Sequence, residues 1–173
     1  MTSPGPGTPA MSAEGQLLRG RSLAIRYLNF VKLPHTLFAL PFALVGVVAA
    51  SRFAPVRGRT LALVVIAFTA ARWVAMGFNR VVDREYDALN PRTSMRELPQ
   101  RALSLGQAWG SIAIAAFLFL GCAALLNPLC RMLGPLALAW VMTYSFTKRF
   151  THWPHFWLGL SLAIAPVGGY LAV

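Results

Sequence analysis

Apolar residues in this chain come in blocks rather than in alternation. Five blocks, at about 34 to 52, 60 to 82, 108 to 126, 129 to 147 and 155 to 173, each approach the roughly 20 residues that carry a helix across about 30 Å of hydrocarbon. The third and fourth are separated by little more than Asn127-Pro128, which predicts a tight helical hairpin. Pro41, Pro135 and Pro166 fall inside blocks, where they kink helices whose neighbours can re-satisfy the freed backbone. Ahead of the blocks, residues 1 to 15 are rich in Pro, Gly and Ser and lack the basic-then-apolar order of a signal peptide, which predicts a disordered tail. Residues 16 to 33 place Leu17, Leu18, Leu23, Ile25 and Leu28 among Arg19, Arg21, Arg26 and Lys32, the pattern of a basic amphipathic helix on an anionic leaflet. The expected fold class is all-α, a multi-pass transmembrane helical bundle with about five spanning helices.

Composition agrees with the pattern. At 57% hydrophobic and 12% charged residues, the chain is too apolar for one soluble domain of its length. A net charge of +11 raises nucleic acid as a partner. The sixteen basic residues sit mainly between the apolar blocks, however, where cytoplasmic loops of membrane proteins carry theirs, so no nucleic acid is expected. Eleven of them fall on one side: four in the N-terminal segment, five around the loop after the second block, and Lys148 with Arg149. Four, Arg52, Arg57, Arg59 and Arg131, fall on the other, which predicts a cytoplasmic N-terminus and an integral membrane protein, for a bacterium that of the inner membrane. Cys122 and Cys130 have no zinc-like spacing and read as small hydrophobes.

The acids are the unusual residues. Of five, Asp83, Glu85, Asp87 and Glu97 lie within fifteen positions. On a helix, Asn79, Asp83 and Asp87 at i, i+4 and i+8 are each turned only about 40° from the last, so two carboxylates and an amide share a face. Such a pair can be solvated interfacial charge balanced by Arg80, Arg84 and Arg92. It can also be a site, because carboxylates at a membrane rim are expensive and Mg2+ takes one or two of them, leaving its other positions to water and phosphate. Arg72, seven residues before Asn79, shares that face; alone it reads equally as a snorkelling arginine. Tyr144 and Lys148, at i and i+4 near the end of the fourth block, read by themselves as an interfacial anchor. His35, His152 and His155 show no ligand spacing, and Phe146, Phe150, Trp153, Phe156 and Trp157 read as an aromatic belt.

Together these motifs resemble a known family. Asn79-x-x-x-Asp83-x-x-x-Asp87, then Asn90-Pro91-Arg92-Thr93 and Arg96-Glu97-Leu98-Pro99, is similar to the first aspartate-rich motif and following loop of the UbiA-type intramembrane aromatic prenyltransferases. Tyr144-Ser145-Phe146-Thr147-Lys148 resembles that family's Y-x-x-x-K element, and Lys32-Leu33-Pro34-His35-Thr36-Leu37-Phe38 resembles the first helix of its bacterial quinone branch, the 4-hydroxybenzoate and menaquinone-pathway enzymes. The resemblance, running from about Arg26 to the end, implies a nine-helix bundle around a lipid-open cavity that joins a polyprenyl diphosphate to an aromatic acid with Mg2+. Asn79, Asp83 and Asp87 would hold the metal and diphosphate. Arg92, Arg96, Tyr144, Lys148 and Arg149 would bind substrate, with Lys148 or Arg149 helping the diphosphate leave, and Arg72 would lie near the acceptor carboxylate or the diphosphate. The family's second aspartate-rich motif is not in this sequence, and Pro99-Gln100-Arg101 lacks the glycine of the family's loop. Residues 34 to 173 therefore read as a partial prenyltransferase domain, the N-terminal part of a longer enzyme and inactive alone, with the missing helices on another chain as one alternative. A non-catalytic multi-span protein or transporter subunit that binds an anionic ligand is the other.

Overall fold

The computed structural model describes residues 22–150 and 153–173, apart from the side chains of Leu33, Lys148, Arg149, Phe150 and Pro154. The segment 1 to 15 expected to be a disordered tail, and residues 16 to 21 of the basic segment, lie outside the described residues. Seven helices follow one another: α1 (Leu23–Phe30), α2 (Leu33–Ala50), α3 (Gly58–Val82), α4 (Arg84–Leu89), α5 (Leu105–Leu126), α6 (Pro128–Phe150) and α7 (Pro154–Leu171). The described residues hold no strand. Five of the helices occupy the five apolar blocks. Three stretches, Gly58–Val82, Leu105–Leu126 and Pro128–Thr147, are by themselves long and apolar enough to cross a membrane. α1 and α2 meet that test only together, as a pair bent by 53°, and His155–Leu171 is a shorter apolar helix.

Local chemistry sets the ends of these helices. Ser104 caps α5 through a reciprocal box: its Oγ accepts from the Gln107 N–H at 3.1 Å, and its own N–H donates to Gln107 Oε1 at 2.9 Å. A single residue, Asn127, breaks the chain between α5 and α6. Its Oδ1 accepts the Cys130 N–H at 2.8 Å, while its Nδ2 donates to the Leu171 carbonyl at 2.6 Å and so ties the start of α6 to the end of α7. The turn between α1 and α2 passes through Lys32 in the left-handed region, at φ 49°. Beside that turn Phe30 and Val31 are fully buried, and Arg26 Nη1 reaches the Ala102 carbonyl at 2.9 Å. The described part of the basic segment is thus pinned into the bundle at its C-terminal end.

Packing is tight inside and absent outside. α3 lies most extensively on α5, with Val74, Val81, Ala108, Ile112 and Ala115 closing one core around Phe30. A Cβ on Gly77 would meet Ile112 Cγ1 at 2.9 Å and Phe30 Cε1 at 3.1 Å, so the approach of α3 requires a residue without one. α2 and α7 come together through Gly46 and Gly169, where a Cβ would run into the carbonyls of Pro166 and Ala43. Meanwhile Phe38, Phe42, Val45, Val48, Ile114 and Phe117 stand exposed, as side chains do when lipid, not water, surrounds a helix.

Candidate functional site

The end of α3 gathers the chain's scarce acids. α3 stops at Val82, Asp83 takes a turn conformation (φ −87°, ψ 2°), and α4 starts at Arg84. The continuous helix expected through Asn79, Asp83 and Asp87 is therefore interrupted in its dihedrals. Its hydrogen bonding is not: the Asp83 N–H donates to Asn79 O at 2.9 Å and the Asp87 N–H to Asp83 O at 2.8 Å, which keeps the i to i−4 ladder.

The loop from Asn90 to Leu103 folds back on this corner. Asn90 Oδ1 accepts the Arg92 N–H at 3.0 Å, starting the turn, and the Thr93 hydroxyl donates to the Asp87 backbone carbonyl at 3.0 Å. Arg96 then reaches Asp87, with Nη1 at 2.8 Å from each carboxylate oxygen, and Asp87 is buried. Glu97, the next residue, forms a buried ion pair with Arg80, the two side chains 6% and 5% exposed. The Arg80 guanidinium lies 5.8 Å from the centre of the Phe30 ring and also feels the charges of Arg96 and Asp87. Two arginines and two acids thus form one electrostatic unit under the loop.

Next to this ion-paired unit are buried polar atoms that no described residue satisfies. Asn79 Oδ1 and Arg72 Nε are buried without a hydrogen-bond partner among the described residues. Asp83 is half-buried and close enough to the α6 side chain Tyr144 for its charge to act on the phenol. Phe78 bridges the same helices, meeting Phe146 of α6 edge-on at 5.7 Å and Trp109 of α5 at 5.8 Å. Ser145 is buried, and its Oγ has no partner either. The fold therefore brings together Asn79, Asp83, Asp87, Arg96 and Tyr144, with Arg72 about two turns deeper on α3. Arg92 is exposed at the rim. The side chains of Lys148 and Arg149 lie outside the described residues, although the α6 backbone runs through them.

A hard divalent cation fits this donor set. All candidate ligands are oxygens, and the buried, orphaned Asn79 Oδ1 is an acceptor that a cation would satisfy. Among the described residues no three of His, Cys, Asp and Glu converge into a complete cage. Mg2+ does not need one, since one or two carboxylates suffice when phosphate oxygens and water complete its octahedron.

Sequence reasoning singled out Asn79, Asp83 and Asp87 by spacing and Tyr144 by resemblance, and it left Asp87 and Arg96 without a stated contact. It missed that these two bind each other, and that Arg80 belongs to Glu97. One signal was present: Glu97 is a lone acid in a loop, with Arg96 before it and Leu98 after it.

Comparison with known proteins gives one consistent result. The sequence profile described as the UbiA prenyltransferase family matches residues 39–173. The chain is 34% identical over 95 residues to a mitochondrial 4-hydroxybenzoate polyprenyltransferase of Arabidopsis thaliana, a match over 55% of this chain and 23% of that protein. It is 33% identical over 85 residues to a 4-hydroxybenzoate octaprenyltransferase of Coxiella burnetii, over 49% of this chain and 30% of the relative. The solved apo structure of a UbiA homolog from Aeropyrum pernix K1 superposes with a TM-score of 0.76 at 39% identity, covering 80% of this chain and 50% of that one. The matched part is thus less than a third of these two curated relatives and half of the structural one.

Proposed function

The chain belongs to the UbiA prenyltransferase family, and from that premise we propose that its polar corner binds the diphosphate of a polyprenyl diphosphate and serves transfer of the prenyl group to an aromatic acid, a hydroxybenzoate or hydroxynaphthoate of quinone biosynthesis. The observation that carries this is the buried acceptor of Asn79, orphaned on the same helix end as Asp83, with Tyr144 brought in from α6. Asn79, Asp83 and Asp87 would hold Mg2+, which when bound offsets the charge developing on the departing diphosphate.

The chain's own side chains supply the rest. Arg96 holds Asp87 by both oxygens, so the carboxylate is oriented before substrate arrives. Tyr144 can donate its phenolic O–H to a diphosphate oxygen, and Lys148, Arg149 and Arg92 would add positive charge around it. Arg72, deeper in the bundle, would pair with the carboxylate of the acceptor, a charge that could not enter an apolar site unpaired. The exposed apolar faces of α2 and α5 let a long prenyl chain rest in lipid, and exclusion of water leaves the aromatic ring as the nucleophile for the allylic carbon. Orientation follows from the basic loops. Leaving out Arg80, which is buried with Glu97, still gives ten basic residues against four, so the corner would face the cytoplasm. The sequence holds one carboxylate group of this kind, whereas the resemblance calls for two. Turnover would therefore require helices beyond these, on the same or another chain.

Titration calorimetry of the chain in detergent with a short prenyl diphosphate tests the reading. Binding is expected to require Mg2+ and to be lost in Asp83→Ala. Binding that ignores both would favour the alternative, a membrane protein that holds an anion without catalysis.

A further inference from the structure

A cavity of about 310 Å³ opens where α4 and the returning loop meet the start of α5, lined by Arg84, Leu98, Arg101, Leu103, Ser104 and Leu105. It plays no part in the site above. Two cations face into it, and no acid is among its lining residues. Arg84 Nη2 donates at 3.1 Å to Glu85, whose side chain is 79% exposed, and the remaining guanidinium donors of Arg84 are left for another acceptor. The positive end of the α5 dipole, at Leu105, adds to the same potential.

Arg101 is the unusual member. Its backbone sits at φ 55°, in the left-handed region where a side chain is strained and glycine is not. The loop needs that conformation to turn into α5, and a glycine would supply it without strain. An arginine there places a guanidinium at the cavity instead.

The remaining walls argue for an amphiphile. Apart from the two arginines and Ser104 they are leucine, which offers nothing to a free hydrophilic anion. Leu105 and Trp109, one turn apart on α5, are 40% and 43% exposed where the apolar span begins, a position that in a bilayer would meet headgroups and upper acyl chains. We propose that this cavity binds the phosphate of an anionic phospholipid between Arg84 and Arg101, with the acyl chain running down α5 past Leu105 and Trp109. The site is distinct from the acidic corner and does not depend on the function proposed for it.

The test is thermal unfolding of the 173-residue chain in neutral detergent, supplemented with phosphatidylglycerol or with phosphatidylcholine. Phosphatidylglycerol should raise the midpoint by about 2–4 °C more than phosphatidylcholine does. Arg101→Gly should lose that increment while its midpoint without lipid stays the same or rises, since glycine relieves the strain. Arg84→Gln should reduce the increment with Arg101 in place. Arg52→Gln, at the other end of the bundle, controls for net charge and should keep it. The proposal is overturned if Arg101→Gly retains the full increment, if Arg52→Gln loses as much, or if the two lipids act alike. An equal increment from inorganic phosphate would overturn the lipid reading in favour of a free anion.

Discussion

Asn79 and Arg80 are neighbours near the end of α3, about 100° apart around the helix, and the two faces they mark are finished differently. On the Arg80 face every charge is answered: Glu97 pairs with Arg80, Arg96 holds Asp87, and the Phe30 ring closes the unit from α1. On the Asn79 face, Asn79 Oδ1 and Arg72 Nε are buried and unanswered among the described residues. An unsatisfied buried polar group costs about 1–3 kcal/mol; among the described residues α3 carries three, at Arg72, Trp73 and Asn79, and the two that share the Asn79 face are where a bound ligand would offset that cost. The closed face holds the loop in place, and the open face is where a ligand is expected, with Asp87, oriented by Arg96, at the border between them.

The comparison breaks most visibly at Glu97. Glu97→Leu strands the Arg80 charge in the core, and the loss of one partner of a buried pair is expected to destabilise the chain by about 3–5 kcal/mol. Unfolding in mixed micelles measures it. The paired change Arg80→Met with Glu97→Leu should recover most of that loss, because a well-packed apolar pair is often no less stable than a buried ion pair. If the single change left stability untouched, the closed face would not be what seats the loop.

Asp83→Ala tests the other face. Magnesium-dependent affinity for a prenyl diphosphate should fall at least tenfold, about 1.4 kcal/mol, and a complete enzyme carrying the change should transfer no prenyl group. Normal turnover would remove Asp83 from the metal. Asn79→Ala should weaken the same binding by a smaller factor, roughly threefold to tenfold, with little change in stability, since Oδ1 has no donor to lose among the described residues. Matched losses of stability and binding in Asn79→Ala would mean that the two faces are not separable.

These expectations rest on features of unequal legibility. The helices could be read because the apolar blocks approach the length that crosses a bilayer, although only three of the observed helices reach it unaided, and because Asn127-Pro128 marks an end with local chemistry. Asn79, Asp83 and Asp87 could be read because a spacing of four is itself a geometric statement. Pairing could not. In a chain of sixteen basic and five acidic residues each acid has several possible partners, and the choice is made by how a loop folds back, which no local spacing encodes. Arg80 shows the result: counted in sequence among the positive charges of a loop, it is 4% exposed and matched with an acid 17 residues away. The same loop fold turned Asp87 toward Arg96, where the sequence suggested only a shared helical face.

The smallest effect is expected at Arg72, and it sharpens the comparison most. Arg72→Leu removes a buried Nε that has no partner among the described residues, so stability should stay level or rise by about 1 kcal/mol, opposite in sign to Glu97→Leu. In a complete enzyme the same change should raise KM for the aromatic acid more than KM for the prenyl donor. Arg72 sits seven residues, about 10 Å of helix rise, below Asn79, too far to share a magnesium ligand sphere with it but suitably placed for the far end of an acceptor whose ring meets the prenyl carbon. Equal rises in both KM values would instead move Arg72 to the diphosphate. A loss of stability would show that it has an internal partner in the folded chain and belongs with Arg80 on the closed face.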